Sequence, residues 1–272
     1  MTKAILLGTT GMAVAFAMLA FGYLAGQSKA IAEDNPQVIQ VASSEPALDR
    51  KAVETIVREY LLENPELLLE IQQALDVKEK EKQRIAQLDV IKDAKAEIFN
   101  AGYDGVVGNP DGKVTIVEFY DYNCGYCKRA QEDMLALTAA DPELRFVLKE
   151  FPILGPDSQK AHVVSMAFRA LMPEKFEVFH NTLIAAPGRA GEATAIKIAM
   201  DLGADEAKLR EEMKNPSISE SFAKTYELAQ KLSITGTPSY VVGSEVVFGA
   251  LGQEVLSEKI ELARACILDA TC

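Results

Sequence analysis

The spacing of apolar and polar positions predicts two helices in the amino-terminal part of the folded chain. Apolar residues recur at helical spacing through 53–61 and again through 67–98. Asn64 and Pro65 separate the two stretches, because asparagine caps a helix and proline favours the first turn of the next one. A run of alternating lysine and glutamate interrupts the second stretch, and a solvated face is its simpler explanation. The apolar stripes on both sides of that run need a partner, so we predict a helical oligomerisation arm at 48–104.

Farther along the chain, strand and helix patterns alternate. The predicted elements are a strand at 114–120, a helix, a strand at 144–151, helices across 156–233, a β-hairpin at 239–248 and a last helix at 253–266. Proline and glycine break the helical block several times, which indicates an all-helical insert. This order predicts an α/β fold over residues 105–272, with a central sheet and helices on both faces.

Composition and charge exclude several classes of function. The 272 residues include 28 Lys and Arg against 40 Asp and Glu, a net charge of −12, and 49% are hydrophobic. Nucleic-acid binding requires a clustered basic face, and a net negative charge of this size does not favour one. We therefore predict no nucleic-acid partner. The chain is long enough to bury a core without a disulfide framework, so its four cysteines need another explanation. Two histidines cannot form a His-rich metal site, and we predict neither a metal nor a cofactor.

The first 30 residues have the pattern of an export segment. One lysine at position 3 precedes an uncharged, largely apolar run at 4–26, and small residues follow it. The run is long enough to span a bilayer, so a cleaved signal peptide and a membrane anchor at 1–30 are both open. Residues 31–47 mix proline, serine and acidic side chains, and we predict a linker there. The remainder is expected outside the cytoplasm, in an oxidising compartment.

The sequence Cys-Gly-Tyr-Cys joins the first predicted strand to a helix. Two cysteines separated by two residues at a helix start lie about one turn apart, close enough to form a disulfide. Unpaired N–H groups and the helix dipole stabilise a thiolate at Cys124, and Lys128 and Arg129 add positive charge. We predict Cys124 as the nucleophile and Cys127 as the resolving thiol of disulfide exchange. A zinc half-site or a structural disulfide is the alternative, without a second Cys-x-x-Cys to support it.

Glu118 lies six residues before Cys124 in an otherwise apolar strand. Burial of this carboxyl would raise its pKa, which would let it accept and return the proton of Cys127. A surface-facing side chain is the alternative, because the strand edge can be partly exposed. Glu118 is therefore a candidate general base.

The remaining cysteines and the two histidines carry weaker signals. Cys266 and Cys272 lie six residues apart, and in an oxidising compartment we favour a short-loop disulfide between them. Free thiols are the alternative, and a copper-binding or second redox role is a weaker one. His162 and His180 fall in predicted helices away from any motif, so packing or solvent exposure explains them and they are assigned no role.

Together these features resemble the thioredoxin-fold DsbA family of periplasmic disulfide oxidoreductases, over residues 105–265. The segments 119–127 and 149–156 are especially similar to the ScsC and Com1-like branch, which carries an amino-terminal helical arm. The segment 60–66 within the predicted arm is similar as well. The resemblance implies a thioredoxin-like fold with an inserted helical subdomain at about 156–233.

The resemblance also implies roles for residues that local pattern leaves open. It maps the family's buried acid onto Glu118 and its cis-proline onto Pro238, where pattern alone allows a trans proline that ends a loop. Thr237 and Pro238 then form a ledge on which the Thr237 backbone pairs with an extended client segment, and Gly125 and Tyr126 are expected to bind the client as well. Gly125 and Tyr126 between the cysteines, like Thr237, are similar to the isomerases of the family rather than to its strong oxidases.

The sequence therefore predicts an exported, oligomeric thiol–disulfide oxidoreductase, with disulfide isomerase as the favoured activity. Its expected partners are exported proteins with thiols or disulfides, a membrane redox protein that resets the cysteine pair, and copies of itself in a trimer or dimer. One alternative is a monomeric DsbA-like dithiol oxidase. Another is a copper-sequestering or holdase protein whose cysteines bind metal.

Overall fold

The computed structural model describes residues 49–268, which belong to two compact units divided between Asn64 and Pro65. The described part of the first unit is helix α1 (Arg50–Glu63), which ends at Asn64, where the backbone N–H donates to the Tyr60 carbonyl. The second unit contains everything from Pro65 onward. Predicted segments 1–30 and 31–47 lie outside the described residues.

The second unit contains a mixed sheet surrounded by helices. The strands are β1 (Gly105–Gly108), β2 (Val114–Tyr120), β3 (Leu144–Glu150), β4 (Ser239–Val242) and β5 (Glu245–Phe248). The helices are α2 (Leu67–Asp93), α3 (Lys95–Asn100), α4 (Gly125–Ala140), α5 (Pro156–Leu171), α6 (Phe176–Ala185), α7 (Glu192–Asp201), α8 (Glu206–Glu212), α9 (Pro216–Lys231) and α10 (Gln253–Leu268), with a short 3₁₀ turn at Pro173–Lys175. None of the helices within 49–268 combines the length and the apolar character needed to cross a bilayer.

The strands lie in the order β1-β3-β2-β4-β5. β2 and β3 are parallel, whereas β1 and β4 run antiparallel to their neighbours and β4–β5 is a hairpin. The predicted α/β class is confirmed, with the strands, hairpin and helical block in the predicted order. Strand β1 at the sheet edge is an addition to the elements that the sequence predicts.

Alternation along β2 sends its side chains to two separate apolar clusters. Ile116 and Tyr120 pack with the active-site helix α4, much of the helical block and α10. Val117 and Phe119 pack on the opposite face with the end of α2, with α3 and with α9. Glu118 has the parity of Ile116 and therefore lies on the same side of the sheet as α4.

The predicted arm at 48–104 is divided between the two units. Within the second unit, the last turns of α2 and all of α3 pack against the sheet domain: Gln87 donates to the Leu232 carbonyl at 2.8 Å, and Ile91 and Ile98 are buried. The two units divide after Asn64, and the arm boundary at 104 stays a prediction.

Candidate active site

Cys124 lies at the junction of β2 and α4. A tight turn follows β2, the Cys124 N–H donates to the Asp121 carbonyl at 2.9 Å, and the Cys124 carbonyl accepts the first helical hydrogen bond from Lys128. Its pKa is lowered to about 5, first by a hydrogen bond from Cys127, then by Thr237 and by the backbone N–H groups of Cys127 and Tyr126, against partial burial. The helix start therefore stabilises a thiolate at this position.

Cys127 has the opposite environment. It is fully buried one turn farther along α4, and burial raises its pKa far above the ordinary range, with added contributions from its hydrogen bond to Cys124 and from the charge of Glu118. Both thiols are reduced in the structure. At neutral pH the pair consists of one thiolate near the surface and one protonated thiol beneath it.

Glu118 lies beneath this pair. Its side chain is buried, which excludes the surface-facing alternative, and burial followed by the charge of Cys124 raises its pKa to about 8. The charge of Glu118 in turn raises the pKa of Cys127. A carboxyl that changes protonation state near neutral pH beside a buried thiol is suited to exchanging a proton with it.

The segment before β4 closes the site from the other side. The peptide bond between Thr237 and Pro238 is cis. When Cys124 is protonated, its Sγ donates a hydrogen bond to the Thr237 carbonyl at 3.1 Å. Residues separated by more than a hundred positions in sequence thus meet at the reactive sulfur.

A groove of about 480 Å³ runs beside this contact. It is lined by Thr235–Ser239 and by the exposed side chains of Tyr126, Phe248 and Leu251. Gly125, between the two cysteines, faces open space, because a Cβ on it would meet no atom within 4 Å. An extended segment with apolar side chains fits such a groove.

The sequence analysis missed the residues that hold the turn before Cys124. Asp121 accepts hydrogen bonds from the Asn123 N–H and the Ser158 hydroxyl at 2.8 Å and from the Leu154 N–H at 2.9 Å. The Asn123 side chain both donates to and accepts from the backbone of Ala190. An Asp and an Asn directly after a strand signal such side-chain-stabilised turns, so this part could have been found.

The two histidines are not isolated helix residues. His162 and His180 are both fully buried next to Tyr120 and Tyr122. Burial, with His162 as a second cause, lowers the pKa of His180 to about 3. Their partners come from β2, the turn that follows it and β3, which the sequence pattern does not connect to these helices.

The carboxy-terminal cysteines lie at the edge of the described chain. Cys266, near the end of α10, is disulfide-bonded. Cys272 lies outside the described residues, so the predicted pairing stays a prediction. Across the described range 49–268, no three His, Cys, Asp or Glu side chains are grouped in a way that would hold a metal ion.

A reactive thiol at a helix start, a buried partner thiol, a cis-proline loop and a thioredoxin-like sheet together define a thiol–disulfide oxidoreductase. The DSBA-like thioredoxin domain family matches residues 115–261, and the copper resistance protein ScsC N-terminal domain family matches 49–82. Since the first match covers more than half of the chain, the protein belongs to the DSBA-like thioredoxin domain family. The resemblance read from the sequence is confirmed.

Individual relatives agree with this assignment. A thioredoxin-like oxidoreductase from Silicibacter pomeroyi is 40% identical, with 62% of this chain and 97% of that chain covered and a TM-score of 0.59. A linker-deleted variant of ScsC from Proteus mirabilis is 25% identical, with 82% and 99% covered and a TM-score of 0.62. The disulfide bond formation protein D of Bacillus subtilis is 28% identical over 166 residues, 57% of this chain and 75% of that protein.

Some curated relatives are much longer proteins. The Na(+)/H(+) antiporters NhaA 3 of Salinispora tropica and NhaA 1 of Salinispora arenicola are 25% and 26% identical over 162 residues, 60% of this chain. The chain spans about a quarter of the length of these two proteins.

Proposed function

We propose that this protein catalyses thiol–disulfide exchange on exported proteins and acts mainly as a disulfide isomerase. The observation that carries the proposal is the contact of the Cys124 sulfur with the Thr237 carbonyl beside an open groove. A client strand that pairs with the backbone around Thr237 would bring its disulfide next to the thiolate. The expected location is the periplasm, which the resemblance and the export pattern of residues 1–30 support.

The proposed reaction begins at the thiolate. Cys124 attacks one sulfur of a client disulfide, the bond between the client sulfurs breaks, and the second client sulfur leaves as a thiolate. In isomerisation, a different client thiolate then attacks the mixed disulfide and expels Cys124, so no net oxidation occurs. When this fails, Cys127 passes its proton to Glu118 and attacks Cys124, which releases the reduced client and leaves a Cys124–Cys127 disulfide.

The residues around the cysteines support an isomerase. Gly125 and Tyr126 place no positive side chain between the two sulfurs, and the guanidinium of Arg129 lies over the Tyr126 ring at 4.3 Å. The thiolate therefore depends on hydrogen bonds rather than on an adjacent cation. A thiolate with less stabilisation makes the reduced pair less favourable. The disulfide is therefore a weaker oxidant.

One observation favours the dithiol oxidase as the second candidate. The pKa of Cys124, about 5, lies between those of weakly and strongly oxidising members of the thioredoxin-like proteins, roughly 7 and 3.5. A thiolate of this kind is also a good leaving group when the protein donates its disulfide. The isomerase must be maintained with its cysteine pair reduced, whereas the oxidase must be maintained with the pair as a disulfide.

Ribonuclease assays separate these activities. An isomerase restores activity to scrambled ribonuclease when the protein is supplied reduced, and Cys124→Ser abolishes that recovery. Rapid oxidation of reduced ribonuclease, without rescue of the scrambled form, would establish the oxidase instead. A stoichiometric Cu(I) complex that Cys124→Ser abolishes, in a protein without turnover on either substrate, would favour the copper-sequestering alternative.

Self-association is part of the proposal. Within residues 49–268, helix α1 and the first half of α2 each leave a row of apolar side chains exposed. An oligomer would bury this surface and present several active sites to one client, in a trimer or a dimer. A membrane redox protein would keep the cysteine pair reduced for isomerisation.

A further inference from the structure

A buried polar cluster lies behind the turn that carries Cys124. It contains Glu150 from the end of β3, His162 and Ser165 from α5, His180 from α6, and Tyr120 and Tyr122 from β2 and the turn. Every one of these residues is at most 5% exposed. Buried polar groups of this kind persist only where their hydrogen bonds are satisfied, so the partners of each group show where its protons lie.

The proton positions on His162 follow from its two partners. The backbone N–H of Tyr122 lies 3.2 Å from Nε2, and an N–H group can only donate, so Nε2 has a free lone pair. Nδ1 then carries the proton and donates it to the Glu150 carboxylate, which also accepts from the Ser165 hydroxyl at 2.7 Å. An ionised carboxylate only accepts, and Glu150 therefore fixes this tautomer.

One further charge faces the same ring nitrogen. The Asp121 carboxylate lies 3.9 Å from Nε2 of His162, beyond hydrogen-bond distance. Its oxygens accept hydrogen bonds from Asn123, Ser158 and Leu154. Asp121 is therefore occupied by other donors, and Nε2 is left to the Tyr122 N–H.

Tyr122 is the middle residue of the turn, and the residues on either side of it are fixed by hydrogen bonds of their side chains. Asp121 is anchored through its carboxylate and Asn123 through its amide, whereas the main chain of Tyr122 is anchored by its N–H on His162. A buried N–H deprived of its acceptor is unfavourable, and the turn would shift to regain one. Cys124 would shift with it, because its own N–H is bonded to the Asp121 carbonyl.

We propose that His162, oriented by Glu150, is a positioning residue for thiol–disulfide exchange: its Nε2 fixes the Tyr122 N–H and so aims the Cys124 sulfur at the N–H groups of Tyr126 and Cys127. The role of Cys124 as the nucleophile comes from the proposed function. The position of the sulfur is a property of the folded protein, and it is measured without a client.

The first test is the pKa of Cys124 in the full chain, followed through the ultraviolet absorbance of the thiolate. His162→Leu removes the acceptor, and we expect the pKa to rise by about one unit, a tenfold loss of thiolate at acidic pH. His180→Leu is the matched control: His180 is equally buried on the same block of helices, but it contacts the Tyr122 hydroxyl at 3.3 Å rather than the backbone. We expect His180→Leu to leave the pKa of Cys124 in place.

Rescue separates positioning from simple packing. In His162→Gln the side-chain oxygen can accept from the Tyr122 N–H, so we expect the pKa of Cys124 to return close to that of the unmodified protein. Equal pKa shifts in His162→Leu and His180→Leu, or a shift that His162→Gln does not reverse, would overturn the proposal. An unchanged pKa in a folded His162→Leu would do the same.

A measurement on the unmodified protein remains decisive even if His162→Leu does not fold. Nitrogen NMR should show the proton of His162 on Nδ1, and hydrogen exchange should show strong protection of the Tyr122 amide. A proton on Nε2, or a rapidly exchanging Tyr122 amide, contradicts the arrangement. These readouts need no client, so a failure of isomerase activity alone would affect the proposed function and leave this inference intact.

Discussion

At the scale of single residues, the two active-site thiols obtain opposite properties from positions one helical turn apart. Cys124 is 7% exposed at a helix start with donors around its sulfur, whereas Cys127 is fully enclosed above a buried carboxyl. The asymmetry comes from burial and hydrogen bonding, because the side chains are chemically identical. In the proposed reaction this asymmetry makes Cys124 the attacking sulfur and Cys127 the resolving one.

The low pKa of Cys124 predicts how stability depends on pH. Folding lowers this pKa from 9.0 to about 5, so the contribution of the thiolate is present above pH 9 and is lost as the pH falls through 5. The stability of the reduced protein minus that of the oxidised protein should therefore rise between pH 5 and 9. Urea denaturation of the reduced and the oxidised protein measures this difference in stability. For Cys124→Ser, the stability of the variant minus that of the oxidised unmodified protein should show no such rise.

Glu118 predicts a pH dependence of the opposite sign. Its pKa rises from 4.5 to about 8 on folding, so the stability associated with the protonated form is lost as the pH increases through this range. In the disulfide form, Glu118→Gln should therefore be more stable than the unmodified protein at pH 8, on the order of 3 kcal/mol, and nearly equal at pH 4. An equal advantage at both pH values would show that the carboxyl does not titrate there.

At the scale of secondary-structure elements, strand β1 depends on a glycine. A Cβ at Gly105 would lie 2.0 Å from a ring carbon of Phe176 on α6, so the ring occupies the space that a side chain would need. Gly105→Ala should lower the free energy of unfolding by about 1–3 kcal/mol, as overpacking does. Gly102→Ala, with no atom within 4 Å of its new Cβ, is the control and should change it little.

The groove beside the active site predicts a separation of client binding from thiol chemistry. Leu251→Ser removes an exposed apolar side chain from the lining of the groove, so KM for an extended client should rise several-fold. The pKa of Cys124 should stay the same. Steady-state kinetics with a fluorescent disulfide peptide measures the first quantity, and a pKa shift would mean that the loop supports the thiol directly.

The elements that sequence could predict are those with a long or chemically distinct pattern. Six of the seven positions of β2 favour a strand, Glu118 being the exception, and Cys-Gly-Tyr-Cys follows it, so the strand and the helix could be predicted from the sequence and Cys124 could be proposed as the nucleophile. β1 has four residues, Gly-Val-Val-Gly, too few to show a period. Pairing between Glu150 and His162 depends on how α5 packs against β3, and no local spacing encodes such a contact.

At the scale of the whole molecule, the amino-terminal helices contribute to two different structures. The end of α2 and α3 belong to the core of the sheet domain, where the Lys149 ammonium donates to the Glu97 carbonyl and pairs with Asp104 in a buried contact. A chain that began at Gly105 would lose these partners and the buried Ile91 and Ile98. Deleting 48–104 would therefore destabilise the catalytic domain and could not report on assembly alone.

Point changes on α1 test assembly without that difficulty. Val53, Ile56, Val57 and Tyr60 form one exposed apolar face, in which Ile56 is 56% exposed. If copies of the chain meet through this face, Ile56→Lys places a charge in the interface and should lower the mass per particle in sedimentation. Thr55→Lys adds the same charge on the opposite side of the same helix and should leave the mass unchanged.

The same pair of variants connects assembly to activity. Rescue of scrambled ribonuclease should fall in Ile56→Lys and not in Thr55→Lys, because several active sites must act on one client for efficient reshuffling. Oxidation of a short dithiol peptide, which needs one site only, should be equal in both. If both variants sediment as the unmodified protein does, the apolar face of α1 has another partner, and the self-association proposed here is wrong.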